Sequence, residues 1–171
     1  MNVLLGITGG IAAYKTPELV RQLRKRGHAV RCVLTANAGR LVARDALAAV
    51  SGAPVATDLW PEDGRMDHID LARWAEVLLI APATANALAH LRLGLADDLL
   101  TTLALAVDPA RPRLVAPAMN TVMWNQPAVQ ENLAVLLQRG WRAIGPVAGD
   151  LACGEQGVGA MAAPEVIADA V

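Results

Sequence analysis

Four apolar runs in this 171-residue chain end in segments of one kind: Thr8-Gly9-Gly10, Thr35-Ala36-Asn37, Pro82-Ala83-Thr84-Ala85-Asn86 and Pro117-Ala118-Met119-Asn120. Each joins small residues, which let a ligand approach the backbone, to a hydroxyl or amide. Each also lies just ahead of a stretch with helical character. Backbone N–H groups at a helix start attract anions, so the combination describes a cradle for a phosphate or carboxylate. A Gly pair alone marks many ordinary strand-to-helix turns, but four such edges exceed what packing asks for. No Gly-x-Gly-x-x-Gly follows the first run and no P-loop lysine motif occurs, so the cradle is neither a dinucleotide fingerprint nor a Walker site.

Other reactive side chains are few. His68 stands ahead of Ile69, Leu71 and Trp74 at a helix start, where pattern alone favours a structural role. His28 beside Gly27 reads as solvent-facing, and His90 as a helix residue with no acidic partner close in sequence. Cys32 lies inside an apolar strand and reads as a small buried hydrophobe. Cys153 falls in a Gly-rich stretch outside any core element, where a thiol can approach a bound intermediate and donate a proton. Asn120 follows a strand end, where an amide can grip a carboxylate; Trp124 after it faces a pocket or an interface. Asp97-Asp98 reads as a helix cap. Two widely separated thiols and three scattered histidines do not make a metal cage, so no metal is expected.

The elements that must position these groups alternate. Strands are expected at residues 2–8, 29–35, 76–81, 113–116 and 141–144, and helices at 11–26, 38–50, 68–74, 84–92, 97–107, 127–139 and 164–171. Pro17 leaves two readings of the first helix: a start at Thr16-Pro17, or a start near Ile11 with a kink. Residues 51–66 read as loop with short extended pieces. Residues 148–163 hold four glycines and no periodicity, and read as a long loop or flap. Alternating strands and helices mean an α/β, doubly wound parallel sheet, whose ligands sit beyond the strand C-termini. No repeat or linker splits the chain, so a single domain over 1–171 is expected.

Composition narrows the function classes. Charged residues are only 18% and balance to a net −1, and Phe is absent, so the basic stripe and stacking platform of a nucleic-acid binder are missing. Arg21, Arg24, Lys25 and Arg26 cluster where a helix C-terminus favours cations. The 54% apolar content exceeds the globular norm, and a subunit interface is a natural place to hide the surplus. No apolar stretch reaches the roughly 20 residues of a membrane span. With no signal-like start and two distant cysteines, a reducing cytoplasm is expected.

The order of longer segments is specific. Ile7-Thr8-Gly9-Gly10-Ile11-Ala12-Ala13-Tyr14-Lys15, His68-Ile69-Asp70-Leu71, Ala81-Pro82-Ala83-Thr84-Ala85-Asn86, Ala116-Pro117-Ala118-Met119-Asn120-Thr121-Val122-Met123-Trp124 and Leu151-Ala152-Cys153-Gly154 follow one another. Over residues 3–167 the chain resembles the phosphopantothenoylcysteine decarboxylase group of the flavin-containing cysteine decarboxylase family. That resemblance implies a three-layer Rossmann-like (flavodoxin-like) fold, an FMN cofactor, and a homo-oligomer (a trimer, or a dodecamer of trimers) with active sites between subunits. It also implies FMN contacts from Gly9, Gly10, Ile11, Thr35, Thr84, Ala85, Asn86 and Ala118, and substrate contacts from Asn120, Asp150, Ala152 and Met161. His68 matches the family's catalytic base and Cys153 its proton donor. Two departures stand out. Ala160 occupies the place of an Arg common in bacterial relatives, removing any phosphate contact by that Arg, and 171 residues leave no room for the ligase domain to which many of them are fused.

The implied reaction is decarboxylation of 4'-phosphopantothenoyl-L-cysteine to 4'-phosphopantetheine in coenzyme A biosynthesis. A saturated carbon does not release carbon dioxide readily; oxidising the thiol carbon to a thioaldehyde supplies an electron sink, and an ene-thiol follows, which Cys153 protonates during reduction. Alternatives are a peptidyl-cysteine decarboxylase that stops at the ene-thiol, a non-catalytic FMN-binding regulatory subunit, or a flavin prenyltransferase. The joint presence of His68, Asn120 and Cys153 favours the first reading.

Overall fold

The computed structural model describes residues 1–60, 67–152 and 154–171. Its centre is a parallel sheet of β1 (Asn2–Ile7), β2 (Ala29–Leu34), β3 (Val77–Ala83), β4 (Arg113–Pro117) and β5 (Trp141–Ala143), in the order β2-β1-β3-β4-β5. The helices are α1 (Thr16–Lys25), α2 (Arg44–Ser51), α3 (Asp67–Trp74), α4 (Ala85–Leu93), α5 (Leu99–Ala106), α6 (Thr121–Trp124), α7 (Pro127–Gln138) and α8 (Pro164–Asp169). A separate antiparallel pair, β6 (Val147–Asp150) and β7 (Gln156–Ala160), stands off the sheet.

The central strands are near-continuous Val, Leu and Ile because both of their faces are covered. Val3, Leu5 and Ile7 of β1 pack into one layer with Leu19 and Leu23 of α1, Leu47 of α2 and Ile167 of α8. Leu4, Leu78, Ile80 and Val115 pack into the opposite layer with Leu71 of α3, Leu88 of α4, Leu103 of α5 and Leu136 of α7. The result is the three-layer α/β architecture expected. Strand order turns back beside β1, which has β2 on one side and β3 on the other. The crevice beyond the C-terminal ends of β1 and β3 is therefore the switch point where sheets of this kind bind ligands.

The first of the two readings of Pro17 holds. A 3-10 turn over Ile11–Lys15 precedes α1, which begins at Thr16 with Pro17 in its first turn, so no mid-helix hydrogen bond is lost. Asp98 caps α5 as expected, its carboxylate accepting from the Thr101 N–H at 2.7 Å. Asp97 instead reaches back to His90, Oδ1 to Nδ1 at 3.2 Å, so His90 does have an acidic neighbour. His28 is half-buried and not solvent-facing; burial, the N-terminal ammonium and Arg26 lower its pKa.

Three elements depart from expectation: the helix expected over residues 38–50 is a 3-10 turn, Ala38–Arg40, followed after a break by α2. The stretch read as a structureless flap contains the β6–β7 pair, and α6 follows Asn120. Glycines at 149, 157 and 159 erase the polar/apolar alternation that marks strands, and a four-residue helix is too short for a periodic signal. Before residue 61, the short extended piece is real: Ala56 bridges to Val33 in parallel. The rest of that loop, 61–66, lies outside the described residues.

Candidate active site

The switch point opens into a cavity of about 470 Å³. Its floor is the turn after β1, Gly9 and Gly10, beside Thr84 and Ala85 at the start of α4. Ile11, Ala12, Tyr14 and Lys15 of the 3-10 turn form one wall. Ala118, Met119 and Asn120 after β4, with Met123 of α6, form the next. Asp150, Leu151, Ala152, Gly159, Ala160 and Met161, in and beside the β6–β7 hairpin, complete the lining.

Local hydrogen bonds explain why these segments meet. The buried Thr8 hydroxyl donates to the Pro82 carbonyl at 2.6 Å and accepts from the Thr84 N–H at 3.1 Å, stitching the end of β1 to the end of β3. Thr84 then caps α4, accepting from the Ala87 N–H at 3.2 Å. The Ala118 N–H donates to the Ala83 carbonyl at 3.1 Å, and the Met119 N–H to the Gly159 carbonyl at 2.9 Å, so β4 links β3 to the hairpin. The chain is crowded here: a Cβ at Gly159 would run into the Met119 carbonyl oxygen, and one at Gly9 into the Asn37 side chain.

Asn120 divides its amide between two tasks. Its Oδ1 accepts from the Val122 N–H at 2.7 Å and caps α6, which fixes the side chain. Its Nδ2 donates to Glu155 Oε2 at 2.9 Å. A carboxylate of the hairpin turn therefore rests on the amide that the sequence assigns to a substrate carboxylate.

Of the residues expected to hold the cofactor, Gly9, Gly10, Ile11, Thr84, Ala85 and Ala118 line this one cavity, as do the four expected substrate contacts Asn120, Asp150, Ala152 and Met161. Thr35 and Asn86 are outside its wall. Thr35 directly follows β2, with its hydroxyl donating to the Ile7 carbonyl at 3.3 Å, and Asn86 is exposed in the first turn of α4. His68 lies in the first turn of α3 and does not line the cavity of its own chain. Its Nδ1 is buried without a hydrogen-bond partner among the described residues. Cys153 lies outside the described residues, although both of its neighbours are described and Ala152 is in the cavity wall. Cys32 is buried, and burial pushes its thiol up to about 12, so it is the inert thiol anticipated.

Sequence reasoning missed Tyr14, Lys15, Met123 and Leu151 as wall residues. All four sat within recognised segments, but the orientation of Tyr14 and Lys15 depends on the 3-10 geometry of Ile11–Lys15, whose eclipsed i, i+3 spacing differs from an α-helix. No group of three or more potential metal ligands occurs among the described residues, and none of the described helices is long and apolar enough to cross a membrane.

The cavity fits a flavin. Backbone N–H groups at Gly9 and in the first turn of α4 suit a phosphate, Gly10 gives close approach without a side chain, and much of the remaining wall is apolar, with Ile11 56% exposed on it and available to a planar ring.

The flavoprotein family profile matches residues 1–171. The coenzyme A biosynthesis bifunctional protein CoaBC of Escherichia coli strain K12 is 47% identical over 170 residues, covering 98% of this chain and 41% of that protein. The chain thus spans about two fifths of the length of such bifunctional relatives. A probable phosphopantothenoylcysteine decarboxylase of Streptococcus mutans is 42% identical, covering 94% of this chain and 91% of that one. Among solved structures, a PPC decarboxylase mutant complexed with pantothenoylaminoethenethiol superposes with a TM-score of 0.89 at 37% identity, covering 99% of this chain and 94% of that chain. The FMN-dependent cysteine decarboxylase SpaF gives 0.81 at 36% identity, covering 93% and 89%.

Proposed function

The chain belongs to the flavoprotein family, and on that premise we propose that it is an FMN-dependent decarboxylase converting 4'-phosphopantothenoyl-L-cysteine to 4'-phosphopantetheine. The observation that carries the reading is the cavity itself: a flavin cradle and the capped Asn120 amide open onto the same space. Relatives named for this activity or for coenzyme A biosynthesis, at 42% and 47% identity, support it.

FMN, when bound by Gly9, Gly10, Ile11, Thr84, Ala85 and Ala118, supplies reversible two-electron chemistry at the carbon that bears the substrate thiol. The protein supplies placement and protons. Asn120 Nδ2 exchanges the Glu155 carboxylate for that of the substrate, and the cap on Oδ1 keeps the amide aimed while the carboxylate departs as carbon dioxide. Ile11, Met123, Leu151 and Met161 keep water from the ene-thiolate formed on the substrate. His68, contributed by a neighbouring copy, accepts the thiol proton, and Cys153 returns a proton to carbon. A trimer, alone or as the unit of a larger dodecameric assembly, would supply such neighbours.

The test is direct. The purified protein should be yellow with a flavin spectrum, and should release carbon dioxide from phosphopantothenoylcysteine in step with phosphopantetheine detected by mass. A flavin-loaded protein that releases none would sink the reading.

A further inference from the structure

Among the described residues, the cavity wall carries one cation, Lys15, and one anion, Asp150. We propose that Lys15 recognises the phosphate monoester of the substrate, which makes this chain selective for a phosphorylated small-molecule cysteine derivative over a peptide ending in cysteine. The inference deepens the decarboxylase reading and rests on it.

No described carboxylate pairs with Lys15; its ammonium lies 5.8 Å from the ring centre of Tyr14, which is itself 62% exposed in the same wall. Asp150 is held within the hairpin, accepting from Gln156 Nε2 at 3.0 Å. A half-buried cation facing a largely apolar space has a use if the ligand brings a dianion to it.

Position separates this cation from the flavin phosphate. Five residues of 3-10 helix rise about 10 Å between Gly10 and Lys15. The cofactor phosphate has backbone donors at Gly9 and the first turn of α4, so Lys15 is left for the far end of a long substrate whose carboxylate end is on Asn120. Ala160, also in the wall, offers only a methyl group, so it does not share the task. A peptide would bring neutral amides to the same place, whose carbonyls accept a weaker hydrogen bond from the ammonium than a phosphate dianion does.

Binding of phosphopantetheine and of pantetheine, measured by calorimetry on the flavin-loaded protein, tests the assignment without turnover. The wild type should hold the phosphorylated ligand roughly 10–100-fold tighter, as expected for a charge-assisted contact. Lys15→Met should abolish that gap and leave pantetheine affinity within about 2-fold, while Lys15→Arg should keep most of the gap. Flavin content, read from visible absorbance, should stay at the wild-type level. A gap that survives in Lys15→Met, or an equal loss for both ligands, overturns the proposal. Loss of flavin from Lys15→Met also overturns it, by assigning the lysine to the cofactor's phosphate. Carbon dioxide release is scored separately: an intact phosphate gap in a protein that releases none upholds the role of Lys15 while sinking the decarboxylase reading.

Discussion

Asn120 can be separated into its structural and chemical halves by one substitution. Asn120→Asp retains an oxygen to cap Val122, so the melting temperature should stay within a few degrees of wild type. It replaces the Nδ2 donor with a second carboxylate, so kcat/KM should fall by about 100-fold or more while flavin stays bound. Unchanged kinetics would remove Asn120 from substrate binding. The two cysteines are separable in the same way. With its pKa pushed to about 12, Cys32 is thiolate in only about one molecule in 10⁴ at pH 8. A Cys153→Ser protein should therefore show no thiol reacting with Ellman's reagent until it is denatured, when one appears; rapid reaction in the folded state would contradict the burial of Cys32. At this scale the sequence was informative because small residues and amides at strand ends have few other reasons to recur. It was silent on Lys15, since a lysine's type does not reveal which way a 3-10 turn will aim it.

The elements hold the site by caps and close approaches. Asp98 and Thr101 exchange hydrogen bonds in a capping box at the start of α5, the helix under the sheet's second face. Asp98→Ala should cost about 1 kcal/mol in a urea titration, with no change in flavin content. Gly159 marks a tighter constraint, because its carbonyl in β7 accepts from the Met119 N–H where no side chain fits. Gly159→Ala should lower stability by about 1–3 kcal/mol and weaken flavin binding, as the hairpin is pushed off the wall. Normal flavin affinity in that variant would mean the hairpin is not needed to shape the cavity. Strands and helices with long apolar patterns were legible, including the start of α1 at Thr16-Pro17. The hairpin was not, because glycines selected for backbone proximity carry no side-chain pattern to read.

The whole molecule poses the question of His68, which lies at the start of α3 and outside the cavity of its own chain. In a trimer whose sites join His68 of one copy to Asn120 of the next, neither His68→Asn nor Asn120→Asp is active alone. Co-expressed in equal amounts they should recover about one quarter of wild-type activity, since a random pairing leaves that share of junctions intact. No recovery in mixed oligomers would place both residues in one chain's site or remove one from the chemistry. What the sequence by itself determined was the kind of chain: alternating apolar strands and amphipathic helices, anion-binding strand ends and a cysteine on a Gly-rich segment, all encoded by residue type and short-range spacing. What tertiary structure alone decided was which of these share a space. Thr8 bridging β1 to β3, Met119 meeting Gly159 and Asn120 facing Glu155 join residues 35 to 76 positions apart. Contacts across such separations arise from the strand order, and no local pattern records them.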